Sequence, residues 1–336
     1  MAAGGGSERF HPIILGDTGQ ALFDALKGNR ALSLILRESD IPTHLSSDAA
    51  VKLGAPILEL VRGLIAAKTY WSGIDPAARV IIAYCLDDGE CNAEASAFGG
   101  GQYLVRVNLD GLPPLRATAK ELIDADPALL AAFAGQGVRS SETIDESFIL
   151  ATLLLFFHEV AHVVRGHLPL LNEPLLDELS SINRAALRIV VETDADFIAS
   201  VLLGQILGKM AKSSSDPGAR AKRLYRSSLL GAFVLFATFA TGSAKPNDQY
   251  HSPIVRFHIL YQVFAGSLGI GKDEADAILL EYVRYLEQAA PRIPMLALYS
   301  VWEKTFADDF RKWKETTEPA RLQLEASGKL KGLSIA

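Results

Sequence analysis

The segment best equipped for chemistry is His158-Glu159-Val160-Ala161-His162, set inside the apolar run from Phe148 to Val164. On a helix, residues four apart share a face, so both imidazoles can reach a single ion. Neutral imidazole is a good zinc ligand, and the intervening carboxylate can act as a general base on a water activated by that metal. Polar groups are costly in such apolar surroundings and need partners. A zinc ion accounts for all three, and this spacing is the zinc-hydrolase signature.

Two histidines leave a catalytic zinc one protein ligand short, with a further position for water. His167 lies five residues after His162. On a continuing helix that is about 140° away from His162, so it points elsewhere. The alternative zincin pattern, a third His six residues on after a Gly, does not match, because Gly166 adjoins His167. Glu192 is the better candidate, in Val191-Glu192-Thr193-Asp194-Ala195-Asp196. Glu192 and Asp196 are four apart, and apolar residues flank them on both sides, which argues against a solvated acidic patch. Glu192 is thus expected as the third metal ligand, and Asp196 as the carboxylate tying down the second ring nitrogen of a bound His. Asp194 stands about 200° round from Glu192 and is expected to be solvated or bound elsewhere. If the following helix ran unbroken from Pro174, Glu192 would lie about 27 Å along it, too far from the His pair. A break near Ser180-Ser181 is therefore expected.

The elements that must position these groups can be read from periodicity and turn residues. Helical spacing recurs from Gln20 to Leu36 and from Ser47 to Tyr70. Val80–Leu86 is short and rich in β-branched residues, and Tyr103–Leu109 alternates, so two strands are expected, the second half buried. Asp87-Asp88-Gly89-Glu90 supplies a turn, and Pro113-Pro114 end the second strand. Short helices and a loop are expected over 118–137. Thr143 with Glu146 suggests a capping box for the helix carrying the His pair, and Gly166 with Pro169 ends it. Beyond it the chain reads as helical to about Trp313, with breaks near Pro217, between Gly242 and Pro253, and at Pro291 and Pro294. The expected fold class is α+β, mostly α, with a small β-sheet and a long active-site helix. Residues 1–8 are expected to be disordered, 9–314 to form one domain with its core at about 80–260, and 315–336 to be a charged, partly ordered tail.

Bulk properties narrow the partners. Hydrophobic residues make up 49% of 336, ample for a buried core. The net charge of -6 and the lack of a strongly basic block argue against nucleic acid as a partner. Cys85 and Cys91 are expected to be reduced thiols, and the Gly/Ala-rich start has no signal-peptide pattern, so a cytoplasmic protein is expected. Leu229–Thr241 is too short to span a bilayer and reads as a buried core helix. The basic residues before it (Lys209, Lys212, Arg220, Lys222, Arg223 and Arg226) keep a membrane-surface contact open. Oligomeric state is not legible.

With these motifs in hand, the chain resembles the gluzincin zinc metallopeptidases, in particular the HtpX and CAAX-prenyl-protease group and its small soluble, minigluzincin-like relatives. Four pieces are similar in order over about residues 80 to 260. They are Asn92-Ala93 with glycines and the strand from Tyr103, then His158 to His162 with His167, then Glu192 with Ala195-Asp196, and last His251, Pro253 and Arg256. Ser252 separates His from Pro in the last piece, and the Arg lies closer than in the family pattern. The chain also resembles the Lit phage-exclusion peptidases, whose similar His-Glu motif ends in Gly-His, here Gly166-His167. The resemblance implies a zincin-like metallopeptidase domain that cleaves a polypeptide substrate with a zinc-activated water and Glu159 as general base. It further implies His251 or Arg256 as donor to the developing oxyanion, with substrate pairing along the open edge of the 103–109 strand near Asn92 and Ala93. Two alternatives remain at this level: a defence or toxin-type peptidase with a single cellular target, and a non-catalytic regulatory module that binds zinc.

Overall fold

In the computed structural model, the described residues are 9–14, 79–86, 93–99, 102–108, 111–124, 139–172, 184–241, 251, 253–289 and 306–330. The helices expected over 20–36 and 47–70, the break near Ser180-Ser181, the disordered start and the segments at Pro291 and Pro294 lie outside them. Contacts divide the chain into two compact units, Met1–Pro114 with Leu333–Ala336, and Leu115–Gly332, where the sequence suggested one domain over 9–314.

The first unit holds a mixed four-stranded sheet in the order β1-β2-β4-β3. Its strands are β1 (Arg9–Ile14), β2 (Arg79–Leu86), β3 (Ala93–Gly99) and β4 (Gln102–Asn108). β2 is a nearly continuous apolar, β-branched run, which suits an inner strand. It pairs antiparallel with β1 (Arg9 opposite Leu86) and parallel with β4 (Arg79 opposite Gln102). β3 folds back antiparallel on β4, with a register irregularity between Ala97 and Gly99. Both strands expected from the sequence are present, shifted by one residue. One expectation is overturned. β4 is paired on both sides, so it offers no open edge to a peptide; among the described residues the outer strands are β1 and β3. Nor is β4 simply half buried, because the successive residues Leu104 and Val105, on opposite faces, are both buried.

The helices are α1 (Leu112–Asp124), α2 (Ser140–Arg165), α3 (His167–Asn172), α4 (Arg184–Lys212), α5 (Pro217–Thr241), α6 (Pro253–Leu268) and α7 (Lys272–Ala289). Residues 306–312 are helical and run into a π-turn at Trp313–Thr317, followed by α8 (Glu318–Ala326). Pro113 and Pro114 do more than end a strand: they open α1, where a missing N–H has no helical partner to lose. α2 begins three residues before Thr143, so the expected capping box does not form. Thr143 Oγ1 instead donates to the Arg139 carbonyl at 3.3 Å, and Glu146 accepts from Ser227 Oγ at 2.7 Å on α5. Gly166, at φ 76°, ends α2 as expected, its N–H bonding the His162 and Val163 carbonyls.

From Ser147 to Arg165 nearly every residue of α2 is buried, the mark of a helix surrounded by others. It packs on α4 and α5, and α6 packs on the same two. Among the described residues α2 is the one helix long and apolar enough to cross a bilayer, and almost all of that stretch is buried inside the protein. Leu229–Ala237 of α5 are buried as expected of a core helix. The basic residues beside them are largely consumed in ion pairs: Arg220 and Arg223 with Glu146, Lys222 with Glu274, Arg226 with Glu281.

The segment expected as a tail is packed instead. Leu324 and Leu330 join Leu187, Val190 and Val191 of α4 and Leu170 of α3 in one buried cluster.

Two glycines set how closely the helices approach. A Cβ on Gly208 of α4 would stand 2.8 Å from the Ser267 carbonyl oxygen of α6, and one on Gly231 of α5 would meet Leu150 Cβ and the Ser147 carbonyl of α2 at 3.0 Å. Backbone cannot swing aside as a side chain can. Gly208→Ala is therefore expected to cost about 1–3 kcal/mol. Gly266→Ala, where a Cβ meets nothing within 4 Å, should stabilise α6 by about 0.5–1 kcal/mol through lost chain entropy. Thermal unfolding of the two variants should shift in opposite directions.

Candidate metal centre

α2 and α4 bring the proposed ligands together. His158 and His162 project from one face of α2, and Glu192 meets them from α4. Their donor atoms form a triangle: His158 Nε2 to His162 Nε2 is 3.2 Å, His158 Nε2 to Glu192 Oε2 3.0 Å, and His162 Nε2 to Glu192 Oε2 3.6 Å. In a tetrahedral zinc site with bonds of about 2.0–2.2 Å, two ligand atoms stand about 3.3–3.6 Å apart. The triangle therefore has the dimensions of one face of such a site, and His158, His162 and Glu192 lie close enough to hold a metal ion. Two imidazoles and a carboxylate make three ligands, one fewer than a tetrahedral set.

The other ring nitrogens are held as well. His158 Nδ1 donates to Asp196 Oδ1 at 2.8 Å, so its Nε2 faces the triangle, as expected for Asp196. Asp196 is in turn gripped by the guanidinium of Arg256 on α6, whose Nε donates to Oδ2 at 2.6 Å and Nη2 to Oδ1 at 2.8 Å. The ring of Phe236 lies under that guanidinium at 4.8 Å. Burial raises the Asp196 pKa, but Arg256 and His158 outweigh it and hold the carboxyl down at about 2.

Electrostatics at the triangle follow from the same contacts. Burial by itself drives His158 toward its neutral form. Asp196 and Glu192 outweigh that and raise its pKa from 6.5 to about 10. Glu192 is likewise pushed up by burial but held well below its ordinary value by the hydrogen bonds and charges of His158 and His162. A metal arriving at the site thus takes the place of a proton.

The two expected oxyanion donors have partners of their own. Arg256 turns Nε and Nη2 to Asp196, the carboxylate that also holds His158 Nδ1. His251 is buried, and its Nε2 pairs with Thr317 Oγ1 of the π-turn at 2.9 Å. Glu159 follows His158 on α2 and is buried, 8% exposed.

His167 and Asp194, set aside by the sequence reading, belong to the same cluster. Gly166 breaks the helix, so the 140° argument for His167 does not apply; α3 starts afresh and returns the ring to His162. His167 Nδ1 lies 3.0 Å from His162 Nδ1, and His167 Nε2 lies 3.0 Å from Asp194 Oδ2. Asp194 is fully buried rather than solvated, and accepts from Arg165 Nε at 2.7 Å and Nη2 at 3.1 Å. Burial lowers the His167 pKa to about 4 against the pull of Asp194, so the ring is neutral. The usable signal was Arg165: a charged residue at the end of an apolar helix needs a buried anion, and Asp194 is the one acid of its helix without another role.

Two outcomes follow. Asp196→Asn removes the anion that fixes His158, so the zinc dissociation constant should rise about 10- to 100-fold in a chelator competition. His251 provides a pH test away from the ligands. Burial, then the charge of Lys312, lowers its pKa from 6.5 to about 4. The unfolded chain therefore binds an extra proton between those values, and His251 contributes stability above pH 6.5 that is lost as pH falls toward 4. The Tm of His251→Asn should fall less steeply over that window than the Tm of the unaltered protein. Compared with protein-family models, with curated proteins and with solved structures, the chain matches none, so the functional reading rests on this geometry.

Proposed function

We propose that the chain is a zinc-dependent endopeptidase acting on polypeptide substrates, a cytoplasmic gluzincin-like enzyme. The observation that carries the reading is the triangle of His158 Nε2, His162 Nε2 and Glu192 Oε2, with edges of 3.0–3.6 Å. Zinc held there would supply a Lewis acid that brings the pKa of a water toward neutrality and polarises a scissile carbonyl.

The remaining work falls to the chain's own residues. His162 presents an Nε2 lone pair because its Nδ1 is engaged, and His158, held through Nδ1 by Asp196, would lose its Nε2 proton as a metal binds. Glu192 brings one negative charge, which leaves the site net positive when loaded and suited to a developing oxyanion. Glu159 takes a proton from the attacking water and delivers it to the leaving amine. Asp196 and Arg256 orient His158, and the second binds through the first. Three protein ligands, with Glu159 next to one of them in sequence, support an open, catalytic site over the closed, four-ligand site of a structural module. The burial of α2 supports reading it as the core of the enzyme rather than as a membrane anchor.

Glu159→Gln separates chemistry from binding. It should keep zinc at the unaltered stoichiometry and lose about 10²- to 10⁴-fold in turnover of unfolded protein or of a cellular lysate, read by mass spectrometry of new termini. Cleavage at the unaltered rate would remove the general-base role. No cleavage by the zinc-loaded protein in either substrate would contradict the enzyme reading.

A further inference from the structure

Proposed catalysis makes no use of His167, Asp194, Arg165 or Arg321, yet these four are buried and joined in one chain that ends on a metal ligand. Asp194 is fully buried at the centre of it. Arg165 of α2 donates to both its oxygens, His167 of α3 faces Oδ2, and Arg321 of α8, 127 positions along the sequence, donates from Nη1 to Oδ1 at 3.3 Å. Glu325 closes the ring, accepting from Arg165 Nη1 at 3.5 Å and Arg321 Nη1 at 3.2 Å. The Arg321 guanidinium also lies over Phe197 of α4 at 5.3 Å and pairs with Glu318.

We infer that His167 and Asp194 are positioning residues for the metal ligand His162, and that α8 locks them in place through Arg321. The inference rests on the metal reading of the triangle. Its logic is a chain of single protons. Asp194 is an anion and only accepts, so His167 carries its hydrogen on Nε2. Arg165 and Arg321 already balance the charge of Asp194, so His167 needs no second proton and keeps a lone pair on Nδ1. That nitrogen lies 3.0 Å from His162 Nδ1, so His162 must be the donor there. Its Nε2 is thereby left as a lone pair, aimed at the triangle. One buried carboxylate fixes the tautomer of a ligand two rings away. Two arginines hold that carboxylate, so neither rotation nor protonation of Asp194 is available to scramble the chain. The C-terminal segment is on this account part of the metal centre rather than an appendage.

The test combines zinc affinity by chelator competition with ¹⁵N NMR of the histidine rings in zinc-free protein. His167→Ala should weaken zinc binding about 10- to 100-fold. His167→Asn, whose side-chain oxygen can accept from His162 Nδ1, should recover much of that loss. Arg321→Gln should weaken binding about 10-fold, whereas Glu318→Gln, which strips a partner from Arg321 without touching Asp194, should leave it unchanged. In the zinc-free protein His162 should carry its proton on Nδ1. Unaltered protein that binds zinc, with His167→Ala and Arg321→Gln folded and binding equally well, would overturn the inference and leave the metal reading standing. Should those variants fail to fold, the NMR arm decides, because an Nε2-protonated His162 overturns it without any variant. Unaltered protein that binds no zinc would instead overturn the metal reading itself.

Discussion

Burying charge between apolar helices is the constraint on which the rest of this structure depends. α2 and α4 are among the most apolar segments of the chain, and on them and the adjoining α3 lie three histidines, three carboxylates and an arginine with little or no access to water, with Glu192 partly buried beside them. An isolated ion in such a place is untenable, and each of these groups survives by being paired. The pairing is directional. Asp196 answers Arg256 and His158, Asp194 answers Arg165, Arg321 and His167, and Glu192 answers the two histidines. What emerges is a set of ring nitrogens already turned to a common point, where a metal would displace the proton of His158.

That arrangement also explains why three further elements crowd the centre. α6 exists at this spot to deliver Arg256, α3 to return His167 after the left-handed turn at Gly166, and α8 to deliver Arg321. Each delivers a hydrogen-bond donor to a carboxylate on α4, so that helix is the hub on which orientation is set. A ligand held by packing alone could rotate about χ2. One whose far nitrogen is tied to a buried anion cannot, and metal binding then costs little reorganisation.

Much of this was legible from the residues because local spacing carries it. The His pair and the carboxylates at 192 and 196 depend only on helical periodicity, and both reach the positions that periodicity implies. The strands at 79–86 and 102–108 were legible from β-branching and alternation, and the end of α2 from Gly166. Other features were hidden for physical reasons. Strand order is a property of pairing across distant residues, so nothing local showed that β4 would be flanked on both sides. Thr143 and Glu146 mimic a cap, but Glu146 is drawn to Ser227 and to arginines on α5, and the helix extends past it. His167 lies outside the metal triangle as expected, but its contact with His162 was missed because an angle computed for an unbroken helix fails once the chain turns. Arg321 had no local signal, since its significance lies in a partner 127 positions away.

The central claim is that three side chains from two helices surround one divalent cation, and X-ray absorption at the zinc edge of purified, stoichiometrically loaded protein addresses it most directly. The account predicts a first sphere of two imidazole nitrogens and one carboxylate oxygen with one further light atom, all at about 2.0–2.2 Å, with the imidazole component halved in His162→Ala. A sphere containing sulfur, or one with imidazole scattering unchanged in that variant, would contradict it.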